Sequence, residues 1–365
     1  MAVENERTIL FLDDNHVINL AWDLVQEPSE AQETRIRGFF EPEQVDIDSL
    51  RKMGEGILPA DNVKSYRSTE ITGDLLAGAS AIVFRRGRID RDMIASCRSL
   101  KLIQRLGAGR DSIDLQAAGE RGIQVSCLSR ASLIRTAEHA FALILSLAKR
   151  IVPADARVRA GPDADTPVGA PGNVAYNWCN LTGLDSLHGR TLGIAGLGEI
   201  GKIIAKQAAA FGMKVIYSTR TPRSPEEERS FNATWRSLPA LLGEADFVSV
   251  HLSDIDENVG IFDGEAFKLM KPGAYFINTS RGRLVDEDAL YTALTRGPLA
   301  GAGLDVHLRE PRPADKLTQL DNVILTPHIA GGSRLAIAEE IACMFDNIRA
   351  AFNGSPLPHD DVVDG

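Results

Sequence analysis

The tract Thr191-Leu-Gly-Ile-Ala-Gly-Leu-Gly-Glu-Ile-Gly201 constrains this chain more than any other stretch. A short apolar run leads straight into Gly196-Leu-Gly-Glu-Ile-Gly201, and a helical pattern over Lys202–Phe211 follows. A strand that turns through three glycines into a helix has a physical use for each. The first permits the tight turn, the second lets the backbone approach a pyrophosphate, and the third lets helix and strand pack closely. The helix N-terminus adds unpaired N–H groups and the positive end of a dipole. Among 32 glycines the triplet alone is a weak signal, and its place between strand and helix gives it meaning. Gly196, Gly198, Glu199, Ile200 and Gly201 are therefore expected to line a dinucleotide phosphate site.

Around this turn, short apolar runs alternate with helical patterns. The second half of the chain shows strands at Thr191–Ala195, Lys214–Ser218, Phe247–His251, Ala274–Asn278, Ala302–Asp305 and Val323–Thr326. An earlier series shows Thr8–Leu12, Ala81–Phe84 and a run at Leu102-Ile103, with a helical pattern at Arg91–Cys97. Such alternation argues for an α/β protein with two doubly wound parallel-sheet domains. At 365 residues, two domains are also the expectation from length. A long helix is expected over Ala131–Ile151, ended by Pro153, and a last one over Arg334–Phe352 before Asn353-Gly354. Between residues 161 and 173, three prolines and three glycines mark a loop.

Forty Lys and Arg against 50 Asp and Glu leave a net charge of −10, which argues against a nucleic-acid binder relying on general positive charge. The four cysteines are scattered, with no CxxC and no His/Cys cluster, so neither a metal site nor a disulfide framework is expected. The N-terminus, Met-Ala-Val-Glu-Asn-Glu-Arg, has no apolar signal core, and Ala140–Ala148 is too short to span a bilayer. A cytoplasmic protein without a membrane partner is the expectation.

The end of the strand after the glycine turn bears on the cofactor. An NAD site wants a carboxylate about 20 residues beyond the first glycine, on the ribose hydroxyls. Gly196 plus 22 is Ser218, followed by Thr219 and Arg220, and no carboxylate appears before Glu226. Hydroxyls and arginine suit a 2′-phosphate. Ser218, Thr219 and Arg220 are thus expected to favour NADP(H), with NAD(H) as the alternative.

Five ordered blocks resemble the D-isomer-specific 2-hydroxyacid dehydrogenase family. They are Gly193–Gly201, Ala245–Leu252, Met270-Lys-Pro-Gly-Ala-Tyr-Phe-Ile-Asn-Thr-Ser-Arg-Gly282, Gly303-Leu-Asp-Val306 with Glu310-Pro311, and Thr326-Pro-His-Ile-Ala-Gly-Gly332. Gly107-Ala-Gly-Arg-Asp-Ser-Ile-Asp114 is similar to the family's substrate-domain signature. The resemblance implies a Rossmann cofactor domain over 136–329 inserted in a flavodoxin-like substrate domain, 1–135 with 330–365. It implies hydride transfer between a nicotinamide cofactor and a small 2-oxo or 2-hydroxy acid, and a homodimer.

The resemblance further implies three catalytic residues. Arg281 binds the oxo acid and polarises it. His328 donates or accepts the proton, and Glu310 orients the imidazole and favours its charged form. Asp305 is implied as acceptor for the nicotinamide amide, with His251 and Thr279 beside the cofactor. The backbone of Ala108 and Gly109 is implied on the substrate carboxylate. Arg86, within Arg85-Arg86-Gly87-Arg88, is a candidate for a second anionic group. Ser253–Asn258 departs from the family's pattern after His251. Two rivals share much of this machinery: a dehydrogenase of another small anion such as phosphite, and a dinucleotide-sensing corepressor-like binding protein.

Overall fold

The computed structural model describes residues 7–12, 16–25, 29–41, 45–55, 57, 63–68, 73–85, 87–107, 109–128, 131–161, 177, 179, 181–311 and 313–359. Contacts divide the chain into two units, Met1–Ser132 with Ser333–Gly365, and Leu133–Gly332. Among the described residues, no helix is long and apolar enough to cross a membrane.

Among the described residues, the first unit holds five parallel strands: β1 (Arg7–Leu12), β2 (Val63–Ser68), β3 (Ala81–Phe84), β4 (Leu102–Leu106) and β5 (Gln124–Leu128). Their order, β2-β1-β3-β4-β5, is the flavodoxin-like one. Successive side chains leave a strand on opposite faces. Ile9, Phe11 and Val83 pack into one core with Phe345 and Ile348 of the last helix, Arg334–Phe352. Leu10, Ile82 and Phe84 pack on the other face with Ile94 and Ala117. Burial on both faces is why these strands read as unbroken apolar runs.

Among the described residues, the second unit holds seven parallel strands: β6 (Thr191–Ala195), β7 (Lys214–Ser218), β8 (Ala233–Trp235), β9 (Phe247–Val250), β10 (Ala274–Asn278), β11 (Leu299–Leu304) and β12 (Val323–Leu325). The order β12-β11-β10-β9-β6-β7-β8 is the Rossmann order with one further strand. From β6 the chain runs outward through β7 and β8, then returns to β9 on the other side. The strand order therefore reverses between β6 and β9, where ligands bind in open α/β sheets.

Two sequence expectations change. The strands β2, β5 and β8 were not apparent as apolar runs, and each is an edge strand. The long helix ends at Ala148, before the expected Ile151; Arg150 takes a left-handed φ of 51°, and a second helix runs Ile151–Ala160. Pro153 is the third residue of that helix, where its missing N–H costs no intrahelical bond, so it does not end the first one.

A buried polar cluster fastens the chain's end to the first unit. Asn347 Nδ2 donates to Gln104 Oε1 (2.9 Å), Ser126 Oγ (3.0 Å) and the His359 carbonyl (2.6 Å), and Asn347 Oδ1 accepts from His359 N (3.0 Å). Gln104, Ser126 and Asn347 are fully buried. Replacing Asn347 by leucine strands these partners without water and is expected to cost about 2–4 kcal/mol. Urea denaturation measures the loss, and faster hydrogen exchange of the β4 and β5 amides would localise it to this unit.

Candidate active site

The carboxyl ends of the second unit's strands carry most of the expected site residues. The glycine turn follows β6, Ser218 closes β7, His251 follows β9, Thr279 and Arg281 follow β10, Asp305 follows β11, and His328 follows β12. Hydrogen-bonded neighbours in the sheet thus bring together residues far apart in sequence.

Glu310 and His328 meet directly: His328 Nδ1 lies 2.8 Å from Glu310 Oε2. Burial alone would raise the Glu310 carboxyl. Hydrogen bonds from His328 and from the His307 amide (3.2 Å, on Oε1) outweigh it and hold the group below the usual glutamate range. An ionised carboxylate only accepts, so Nδ1 donates and Nε2 is left for proton exchange. The imidazole is roughly two-fifths exposed, its side chain 43% accessible.

His328 takes a left-handed φ of 56°. That conformation costs a non-glycine residue about 1–2 kcal/mol and persists only where the surroundings dictate it. Here they do. The fully buried Asp305 carboxylate accepts from Thr326 Oγ1 (2.6 Å), Ile329 N (2.9 Å) and Ala330 N (2.8 Å). These donors stand on both sides of His328 and bracket it. Asp305 is thus engaged inside the protein as the anchor of the histidine loop. His307 Nε2 adds a bond to the Thr326 carbonyl (3.1 Å).

Arg281 is half-exposed. Its Nη1 donates to the Ser280 carbonyl (2.6 Å), and Nε lies 4.0 Å from Asp254 Oδ2. Asn278 Nδ2 holds the Arg281 carbonyl at 3.0 Å and fixes the backbone from which the guanidinium projects. The divergent segment Ser253–Asn258 is tied to this stretch, because Arg283 pairs with Asp254 and Asp256.

In the glycine turn, Gly196 has φ +104°, and a Cβ there would stand 2.5 Å from the His251 carbonyl oxygen. A Cβ on Gly201 would stand 2.4 Å from the Gly196 oxygen. Both must be glycine for the strand ends and helix to pack this closely.

Comparison with known proteins identifies the family. Residues 141–330 match the D-isomer specific 2-hydroxyacid dehydrogenase, NAD binding domain. This chain belongs to the D-isomer specific 2-hydroxyacid dehydrogenases. A glyoxylate reductase of Thermococcus litoralis is 42% identical over 259 residues, 70% of this chain and 76% of that protein. One from Pyrococcus horikoshii is 40% identical over 258 residues, 70% and 75% of the two chains. Among solved structures, the apo D-mandelate dehydrogenase of Rhodotorula graminis aligns with a TM-score of 0.59 at 27% identity, covering 97% of each chain.

The residues of this dehydrogenase fit a nicotinamide dinucleotide. A Cβ on Gly198 would meet nothing within 4 Å, so the turn has open space where a phosphate would lie. Gly198 is the N-cap of the helix Glu199–Ala210 and brings no side chain to it, so the positive end of the helix dipole lies at the turn. Nearby, Thr279 Oγ1 and His251 Nδ1 are buried and find no partner among the described residues.

At the end of β7, Ser218 is buried and Arg220 exposed, while Thr219 Oγ1 donates to the Thr221 carbonyl (2.7 Å). Arg223 Nη2 reaches the Leu197 carbonyl in the glycine turn (3.1 Å). Of the expected substrate contacts, Arg86 and Ala108 lie outside the described residues. Gly109, in the first unit, packs on the Arg105 guanidinium. Sequence reasoning gave no role to His139, Thr326 or His307. Thr326 opens a motif block and His307 directly follows one, which is the available signal; His139 carries none.

His251 supplies a test of the packing. Its Nε2 lies 2.7 Å from Ser249 Oγ, and burial pushes the imidazole from 6.5 down to about 3. The unfolded chain takes up this proton below 6.5, and the folded chain does so only near 3. Between those values the unfolded state binds more protons, so stability falls as pH is lowered through the window. In His251→Gln, urea midpoints followed down the same pH range are expected to fall less steeply than in wild type. Equal slopes would show that His251 is not buried in its neutral form.

Proposed function

We propose that this enzyme reduces a 2-oxo acid to the D-2-hydroxy acid with NADPH as the preferred reductant. The His328–Glu310 pair, held beside the strand end that carries Arg281, is the observation that carries this reading. A 2-oxo acid presents a carboxylate next to a ketone. Arg281 donates parallel hydrogen bonds across these oxygens and draws electron density from the carbonyl. The reduced nicotinamide supplies the hydride that the 2-oxo carbon accepts. His328 Nε2 delivers a proton to the resulting alkoxide oxygen, and Glu310 keeps the ring oriented while it does so. In the reverse direction Nε2 accepts the alcohol proton.

Support for NADPH comes from the end of β7. The acids that follow are engaged elsewhere: Glu227 pairs with Lys202 at 2.8 Å, and Glu228 accepts from Tyr217 and Trp235. Ser218, Thr219 and Arg220, with Arg223 leaning on the glycine turn, suit a 2′-phosphate. A homodimer belongs to the same reading, since the helix Ile151–Ala160 buries none of its residues and exposes Ile151, Val152 and Val158. Sedimentation equilibrium checks it.

The deciding measurement is the initial rate of NADPH and NADH oxidation with glyoxylate and hydroxypyruvate. We expect turnover with NADPH preferred. His328→Ala is expected to lose about 10²–10⁴-fold in kcat with nucleotide affinity retained. Arg220→Ala is expected to raise KM for NADPH about tenfold and leave that for NADH unchanged. A preference for NADH overturns the cofactor assignment alone. Full activity in His328→Ala overturns the mechanism.

A further inference from the structure

We propose that His139 is a positioning residue for His328, acting through the Thr326 hydroxyl. The inference rests on the reaction proposed above. His139 lies in the helix Ala131–Ala148, 187 residues from Thr326 in sequence, yet its Nε2 stands 3.0 Å from Thr326 Oγ1.

The proton positions follow from the partners. Thr326 Oγ1 lies 2.6 Å from Asp305 Oδ1, and that bond uses the single hydroxyl proton. Oγ1 must then accept from His139, so Nε2 of His139 carries hydrogen. The result is a directed chain from His139 to Thr326 to Asp305. His139 Nε2 also lies 3.5 Å from Asp305 Oδ1. Asp305 in turn holds Ile329 N and Ala330 N, beyond His328.

Each link limits the next. Without a donor from His139, the threonine hydroxyl is free to turn its proton away from Asp305. The bracket around His328 would then keep only its Ile329 and Ala330 side, and the left-handed residue would lose the constraint that makes this conformation the favoured one. A catalytic base displaced by a fraction of an ångström loses rate while the nucleotide site is untouched. The glycine turn follows β6, which β9, β10 and β11 separate from β12 in the sheet. The charged and titratable groups around the chain are Asp305 at the end of β11, His307 on the Thr326 carbonyl, and Glu138 beside His139 on its own helix.

The test compares His139→Ala, His139→Gln, Thr326→Val and the double variant His139→Ala/Thr326→Val, with His328→Ala as control. Steady-state rates with NADPH and glyoxylate are read beside NADPH affinity from fluorescence titration. His139→Ala and Thr326→Val are each expected to lower kcat about ten- to a hundredfold, with NADPH affinity within about twofold of wild type. The double variant is expected to fall no further than either single, because the two act as one unit. His139→Gln, whose side-chain amide also donates, is expected to recover most of the loss. Unchanged kcat in His139→Ala, losses that multiply in the double variant, or an equal fall in NADPH affinity would each overturn the proposal.

A second readout does not depend on turnover. With seven histidines, the imidazole Cε1–H signals are few enough to assign by single substitutions. The His328 signal is expected to move in His139→Ala and Thr326→Val and to return in His139→Gln. If the wild type turns over no 2-oxo acid, the reaction reading fails, and this signal still decides the positioning: a His328 resonance unmoved in both variants overturns it.

Discussion

The Asp305 carboxyl group is the constraint on which the His328 loop, at the carboxyl end of the second unit's sheet, depends. A carboxyl group withdrawn from water is costly unless hydrogen bonds replace those it gave up. Asp305, with no exposed surface, meets that demand from the stretch after β12: one threonine hydroxyl and two backbone amides. Those donors flank His328. The solvation of a buried acid and the fixing of an exposed histidine are therefore one set of bonds. A surface loop holding a histidine by contacts of its own would have no comparable stake in the fold.

The register of two strands makes this arrangement available. Leu304 of β11 pairs with Leu325 of β12, so Asp305 and Thr326 emerge side by side. The exit of β11 then contributes three groups in six residues: the Asp305 carboxylate, the His307 amide and the Glu310 carboxylate. The amide holds Oε1 of the glutamate, and His328 holds Oε2. Each oxygen of Glu310 thus has its own donor, and the glutamate cannot rotate without breaking one. The orientation of the imidazole follows from parallel strand pairing, the most rigid element at hand.

What the sequence disclosed follows the same physics. Strands covered on both faces, such as Ile9–Leu12 and Ala81–Phe84, are unbroken apolar runs and legible as such. The three strands that escaped, β2, β5 and β8, lie at sheet edges, where Val-Lys-Ser-Tyr-Arg-Ser and Ala-Thr-Trp need no continuous apolar face. Glu310 and His328 stood inside recognisable motifs. The bracket that fixes them did not, because its bonds join segments that only tertiary structure brings together. Nothing in Lys149-Arg150 announces a left-handed arginine, whereas Pro153 reads as a helix end. Asp305 was legible as important, whereas its engagement with the His328 loop was not, since backbone amides leave no mark in sequence.

A chain of net charge −10 that binds an anionic dinucleotide and an anionic substrate needs a local account. Fields from exposed charges fade over about 8–10 Å at physiological ionic strength, so net charge does not set the potential at the glycine turn. The groups close by do: the N-terminus of the helix Glu199–Ala210, with the positive end of its dipole, and Arg223 against the Leu197 carbonyl. The acids nearest the turn are placed to do no harm. Glu226, Glu227 and Glu228 occupy the first turn of the helix Pro225–Phe231, where a helix dipole favours negative charge. Two of them are further committed to Lys202 and to Tyr217 with Trp235. The stretch after β7 thus keeps its acidic residues at a helix N-terminus and in ion-pair and hydrogen-bond contacts of their own.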